Sequence, residues 1–325
     1  MEPIEAQYDA ALCGAVLVSP KEMIARVSGA DASRYLQGRV TQNVASLQPG
    51  GGAKSLLLNP QGRVLGQFVI LRREQDFLLL AEHAAVEDPE PYFARELLRF
   101  KVADQVDFEY LHEELDCIAM LGPKTPEVFA KLGWSMPEAS FAHQSLLWES
   151  IPLTVVRSAR GAAVGVDVLV PRPAASKLRQ ELFNVEPSLL EGTEQVLELL
   201  RITQSIPRMG PELGEKTLAT EIETKDLISY GKGCYAGQEV VEMSTARGRP
   251  NRQLLQLRGV AETAPPAGST VFSLGDTAVE CGSVTSSQRI PSAGECRCLA
   301  FVKTKWADAD QFLIDGVLFS RTTLQ

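Results

Sequence analysis

The stretch Lys232-Gly233-Cys234-Tyr235-Ala236-Gly237-Gln238-Glu239 frames a thiol with glycines and runs directly into QEVVEM, which is compatible with a helix. Glycine permits tight backbone curvature and close approach of a ligand. A helix beginning near Ala236 or Gly237 puts Cys234 just before its N-terminus. There the positive end of the dipole and the nearby Lys232 would both favour thiolate over thiol. From the residues alone a plain packing role is the favoured reading, because free cysteine is among the most often buried residues. The residues alone leave both readings open.

Two phosphate-binding glycine patterns are excluded. GKGCYAG has one residue too many between its last two glycines for a dinucleotide fingerprint, and it lacks the GK[ST] ending of a P-loop. PGGGAKS, ending at Ser55, leads into a strand-like run rather than a helix and reads as a loop. Downstream of the thiol, Arg247, Arg249 and Arg252 in TARGRPNR form a basic cluster that suits either an anionic ligand tail or a solvated turn. No GxSxG elbow is present, and no histidine neighbours Cys234 in sequence.

Working outward, AKSLLLN, RVLGQFVIL and DFLLLA are apolar runs separated by turn residues, which predicts an antiparallel meander over 53–81. DASRYLQG predicts a short helix with Asp31 as cap and Gly38 as stop, and Asp88 with Pro89 opens another. Thr125 with Pro126, and Thr193, supply two further helix starts. LDCIAMLG, IPLTVVR and VGVDVLV read as strands, and PAASKLRQELF as a helix. This irregular alternation predicts an α+β fold rather than a doubly wound sheet. After Pro250 only short strand-like runs remain, which predicts a separate small β-barrel, with AETAPPAG as a hairpin connection. The expected division is 1–248 and 249–325.

The 325 residues carry a formal net charge of -9, so a broad phosphate-neutralising surface is not expected and any anion site must be a local basic pocket. The N-terminus is acidic where a secretory signal would be basic, and no apolar run is long enough to span a bilayer. A cytoplasmic location is expected. Cys13, Cys117, Cys234, Cys281, Cys296 and Cys298 show no CxxC spacing and read as reduced thiols, with Cys296 and Cys298 on one face of a strand. His83, His112 and His143 are scattered, so no zinc-type centre is expected.

KGCYAGQE resembles the signature of the YgfZ family, K-G-C-aromatic-x-G-Q-E. ADASRYLQGRVTQNV, NPQGRVL, LLRITQSIPRMGPEL, GSVTSS and CLAFVK resemble further family segments, so the likeness spans nearly the whole chain. It implies the fold of the glycine-cleavage aminomethyltransferase: interwoven α+β subdomains with antiparallel sheets around a central folate site, then a C-terminal β-barrel. It also implies tetrahydrofolate or a derivative as ligand, with Lys232, Gly233, Tyr235, Gln238, Glu239, Arg201, Arg247 and Arg249 as binding residues and Cys234 as the chemical centre. An accessory role in iron–sulfur cluster assembly or repair follows from the resemblance, with iron–sulfur enzymes or assembly proteins as partners and indirect effects on tRNA modification. The alternatives are a one-carbon transferase and a non-catalytic folate-binding scaffold.

Two departures bear on this. Where the transferases carry G-G-V-I-D-D, with a carboxylate acting on the folate-bound one-carbon unit, this chain has Gly62, Arg63, Val64, Leu65, Gly66 and Gln67. Neither Gly66 nor Gln67 supplies a charged acid or base. Thr203 stands where the family pattern R-I-E-A-G-I-P has Glu, and offers one short hydroxyl in place of two acceptor oxygens.

Overall fold

The computed structural model describes residues 2–82, 89–248, 250–274, 278–290 and 293–322, with the backbone alone for 82, 89–91 and 247. Asp88 and His83 lie outside the described residues.

The expected meander forms from Gly52–Leu58, Val64–Arg72 and Phe77–Glu82, all antiparallel, and is extended by Glu22–Ser28 and Asp107–Tyr110 into a five-stranded sheet. A six-stranded sheet runs in the order Leu190–Glu191, Val16–Val18, Leu115–Leu121, Gly165–Pro171, Ile151–Arg157 and His143–Trp148. Its pairs are antiparallel except the first, which is parallel. The chain gives Val16–Val18 to the larger sheet, builds the smaller one, and returns at Leu115, so the two halves are interwoven.

Strands alternate their side chains between two faces, and helices cover one face of the smaller sheet and both faces of the larger. Ala32–Arg39 and Pro89–Leu98 cover the smaller sheet around Phe68, Ile70, Leu36 and Leu97. Thr125–Lys131 and Arg172–Val185 cover the larger one around Ile118, Val168, Phe129 and Leu178. Its other face packs on Ile4–Cys13 and Glu194–Thr203. Ile24, Leu78, Leu80, Val156 and Leu169 close the contact between the sheets.

Beyond the helix Gln238–Arg247, the strands Arg252–Gly259, Glu295–Lys303, Val279–Ile290, Thr270–Ser273, Gln311–Ile314 and Val317–Arg321 close into a barrel in that order. Cys281, Cys296 and Cys298 are in its core, and burial pushes the Cys298 thiol up to about 12. All six cysteines are free thiols. AETAPPAG is not a hairpin. Arg252–Gly259 pairs with Glu295–Lys303 and Val317–Arg321 rather than with Thr270–Ser273, so this segment crosses between non-adjacent strands.

Three helix signals act differently from expectation. Asp31 precedes its helix, but its carboxylate accepts from the Gln105 backbone N–H at 2.8 Å instead of capping. Gly38 lies inside that helix, which runs on to Arg39. Thr125 is the first helical residue after the cap Lys124, and its hydroxyl donates to Gly122. Short polar side chains take whichever backbone partner the tertiary structure brings closest.

One buried ionic group ties the sheets together. Arg160 Nε lies 2.7 Å from Asp167 of the larger sheet, and its Nη2 lies 2.7 Å from Glu22 of the smaller. Both carboxylates are only 4% exposed. Arg160→Met removes the cation shared by these two buried carboxylates and is expected to lower the unfolding free energy by about 3–5 kcal/mol in urea titrations, with Arg160→Lys recovering part of the loss.

Candidate functional site

The register of the meander decides what its inner face can bind. Gln67 pairs with Leu56, Val69 with Lys54, and Val69 again with Leu80, so Lys54, Leu56, Gln67, Val69 and Leu80 share a face. One end of that face, Leu56 and Leu58, is covered by the segment leading into the signature, through Ile222, Leu227, Ile228 and Tyr235. The other end opens on a cavity of about 900 Å³.

This cavity lies between the sheets. Gly52, Lys54, Gln67, Val69 and Leu80 form one wall, Val156, Arg157 and the 158–163 loop another, and Glu194, Glu198, Arg201 and the 204–209 turn a third. Its cations, Lys21, Lys54, Arg157, Arg160, Arg201, Arg208 and Lys225, outnumber its anions, Glu22, Asp167, Glu194, Glu198 and Asp226. A chain with net charge -9 thus carries a local positive excess here, which suits an anionic ligand. Gln67 spans the floor. In the amide orientation that satisfies both its ends, it accepts from Lys54 Nζ at 2.9 Å and donates to the Pro207 carbonyl at 3.1 Å.

Arg201 lines the cavity as a wall holder. Its five N–H groups go to Glu198 (twice), Glu212, the Ile206 carbonyl and Ser286 Oγ. Guanidinium has five donors, so none is left over for a ligand.

The signature folds beside this cavity and does not line it. Lys232 is buried, and its Nζ donates to the carbonyls of Gln37, Val40 and Gln42 at 2.6, 2.6 and 2.7 Å. Burial pulls its ammonium down to about 8, still above neutral pH, so all three donors persist. Lys232 therefore ties the end of the Ala32–Arg39 helix to the signature, and the resemblance-based expectation of a ligand-facing lysine finds no free donor here. Tyr235 is a core residue whose ring lies 5.1 Å from Lys232 Nζ, and burial pushes its phenol up to about 12.

Gly237 caps Gln238–Arg247 at φ 85 and packs so closely on the Asn59–Gly62 turn that a Cβ would sit 2.6 Å from the Asn59 carbonyl. Only glycine fits both demands. Gln238 accepts from the Tyr235 backbone N–H and donates to Glu242, and Glu239 is exposed. Gly233 and Cys234 are exposed, three or four residues before the cap, and neither lines the cavity. The side chain of Arg247 and the whole of Arg249 lie outside the described residues, and Arg252 pairs with Glu221. Among the described residues no cluster of His, Cys, Asp and Glu could hold a metal ion, and no helix is long and apolar enough to cross a membrane.

The sequence profile of the GCVT N-terminal domain matches residues 15–232. The chain belongs to this YgfZ/GcvT-type folate-binding family. It is 26% identical over 277 residues to the tRNA-modifying protein YgfZ of Klebsiella pneumoniae (strain 342), covering 82% of this chain and 79% of that one. It is 24% identical over 291 residues to the aminomethyltransferase of Bacillus cytotoxicus, covering 87% and 77%. The crystal structure of glycine cleavage system aminomethyltransferase T from Bartonella henselae superposes with a TM-score of 0.87 over 99% of this chain and 88% of that one, at 20% identity.

Within the YgfZ/GcvT-type family, the two departures acquire geometry. Of the positions occupied by paired acids in the transferase pattern, residue 66 faces the Phe93 ring, where a Cβ would come within 3.3 Å, and residue 67 reaches the cavity. Thr203 does not line the cavity, and its hydroxyl donates to the carbonyls of Leu199 and Leu200 in its own helix. Ser205, at the family glycine, adopts φ 57 with its Oγ buried and unpartnered. Lys54, Arg157, Arg160 and Arg208 were missed by motif reading. A lysine and a glutamine on an otherwise apolar strand face were the available signal for two of the floor residues.

Urea unfolding separates the roles within the signature. Lys232→Met strands three carbonyls and is expected to cost about 3 kcal/mol or more. Gly237→Ala is expected to cost about 2 kcal/mol or more through its left-handed backbone and clash. Cys234→Ser, at an exposed position, is expected to stay within about 0.5 kcal/mol.

Proposed function

We propose that this protein binds tetrahydrofolate or a derivative in the cavity between the two sheets and acts as an accessory factor rather than an aminomethyltransferase. The observation that carries this reading is Gln67. A neutral amide, hydrogen-bonded to Lys54 and Pro207, occupies the cavity position at which the transferase pattern supplies an acid. An amide cannot take up or release a proton in the working range, so general acid–base chemistry at that point is removed while the cavity remains. The remaining acids are largely committed: Glu22 and Asp167 to Arg160, and Glu198 to Arg201 and Arg208.

The cavity residues fit the ligand. Its volume lies in the range of small-molecule sites, and its mixture of apolar wall and polar points suits a flat pterin. The glutamate tail of a folate needs cations, which Arg157, Lys21 and Lys225 provide. Folate would bring the one-carbon chemistry when bound, and the protein's own part is to hold it away from bulk water.

The accessory role extends to support of iron–sulfur cluster assembly or repair, with Cys234 as a thiol presented to a partner. Its exposure at the tip of a segment otherwise clamped on both sides supports that use. An effect on tRNA modification, the activity in the name of the Klebsiella relative, would then be indirect, in keeping with the acidic surface.

Calorimetric titration with tetrahydrofolate tests the binding claim: saturable one-to-one binding is expected, weakened roughly tenfold in Arg157→Ala through loss of a charge-assisted contact. No heat of binding would remove the proposal. Turnover of an aminomethyl donor with tetrahydrofolate would overturn the non-transferase reading. In cells depleted of the native protein, Cys234→Ala is expected to lower iron–sulfur enzyme activity without lowering folate affinity. Full rescue by that variant would remove the thiol from the mechanism.

A further inference from the structure

Of the edge strands of the two open sheets, all but one are guarded. Gly52–Leu58 is met by Val40, which bridges to Leu57, and by Thr41, whose N–H donates to the Leu56 carbonyl. Asp107–Tyr110 presents the exposed acids Asp107 and Glu109, and Leu190–Glu191 is too short to offer a ladder. Covering, charge and shortness are the usual defences of an unpaired strand. The remaining edge, His143–Trp148 of the larger sheet, lacks all of these along its second half. HQSLLW carries no acid, lysine, arginine or proline, and its register with Ile151–Arg157 has no bulge.

The hairpin fixes which backbone groups this edge presents. Glu149 and Ser150 form its turn at φ 48 and 68, which makes Trp148 and Ile151 the hydrogen-bonded pair that closes it. Pairs of this kind alternate along an antiparallel ladder, so Leu146 and Gln144 bond inward to Leu153 and Val155. The N–H and C=O groups of His143, Ser145 and Leu147 therefore point away from the sheet. Two observations agree. Leu147 lies opposite Pro152, which has no N–H to give, and the outward N–H of His143 donates to the Gly50 carbonyl at 2.7 Å. Beyond that contact, nothing among the described residues meets the outward groups of Ser145 and Leu147. Side chains follow the same alternation: Leu146 and Trp148 pack on the core, while Leu147 is 72% exposed beside the exposed Pro152.

Such an edge takes another strand, and this one is complementary to itself. Gly50 occupies the place opposite His143, so an antiparallel copy has room only from Ser145 onward. Bonded pairs must join outward residues of both chains. The alignment that clears Gly50 then puts Leu147 opposite Leu147 of the copy, on a two-fold axis, with Glu149 opposite Ser145 on either side. At the axis the two leucines exchange both backbone hydrogen bonds, and their exposed side chains meet on one face, flanked by Pro152 of each chain. No like charges oppose each other there, because the strand carries no acid, lysine or arginine.

We propose that the His143–Trp148 edge is a self-association site, at which two copies of this chain pair antiparallel about Leu147 and join their larger sheets into one. The interface is isologous, each copy offering the other the same patch. So short a ladder makes the dimer weak and reversible.

Sedimentation velocity of the full chain over a roughly hundredfold range of concentration tests this, and a reversible monomer–dimer equilibrium is expected. Leu147→Lys sets two ammonium groups together at the axis and is expected to raise the dissociation constant about tenfold or more. Val260→Lys makes the same charge change at another exposed apolar residue and is expected to leave the equilibrium as it was. Both positions face solvent, so native circular dichroism is expected in both variants. Backbone amide exchange at Leu147 is expected to slow as dimer forms. A monomer at every concentration would overturn the proposal. So would a dimer that Leu147→Lys leaves intact, equal weakening by the two lysine variants, or dimer formation with unchanged exchange at Leu147, which would place the interface elsewhere.

Discussion

A single buried guanidinium holds the third wall of the cavity together and ties it to the barrel. Arg201 projects from the helix Glu194–Thr203, reaches Glu212 in the turn that follows and Ser286 in the barrel, and Ser286 closes the circuit by donating to Glu212 at 2.6 Å. The Glu212 side chain is wholly buried. A charge pair so enclosed is expensive to desolvate, and it is tolerated because every donor on one side and both carboxylate oxygens on the other are met. The arrangement fixes the third wall of the cavity and anchors the barrel to it. Arg160 joins the two sheets through Asp167 and Glu22, so the walls are set by two ion-paired arginines as well as by apolar contact.

The signature works by the same logic. Lys232 clamps three carbonyls, Tyr235 fills the core beneath, and Gly237 meets the Asn59–Gly62 turn at a distance that excludes any side chain. Segments resembling the family at 30–44, 59–65 and 232–239 therefore touch one another. Their recognisability as motifs reflects mutual packing as much as ligand contact. Cys234 is an exposed thiol between the buried Lys232 and Tyr235.

Against this rigid frame, the cavity floor is where the chain differs from an acid-bearing transferase. The acidic surface and the cationic cavity are separate electrostatic regions: charges facing water are screened, while those around an enclosed ligand act at short range and lower dielectric. An amide at residue 67 leaves that strand position of the floor without a carboxylate.

The α+β class, the meander, most strands and helices, and the barrel were legible in the local pattern. Apolar alternation and turn residues act over a few positions and need no partner to be recognised. Family membership was legible for a related reason, since KGCYAGQE and its companions are short strings with restrictive residue types. What the local pattern could not reveal was which acceptor each polar group would meet. Asp31 turned to Gln105, AETAPPAG crossed the barrel instead of folding back, and Lys232 and Arg201 spent every donor on the protein. The cavity cations Lys54, Arg157, Arg160 and Arg208 come from three separate stretches of chain that only the packing of two sheets and a helix brings together. By itself the sequence determined the secondary elements and the family. Tertiary structure alone decided which charged groups face a ligand, because a hydrogen bond or ion pair depends on distances between residues far apart in the chain.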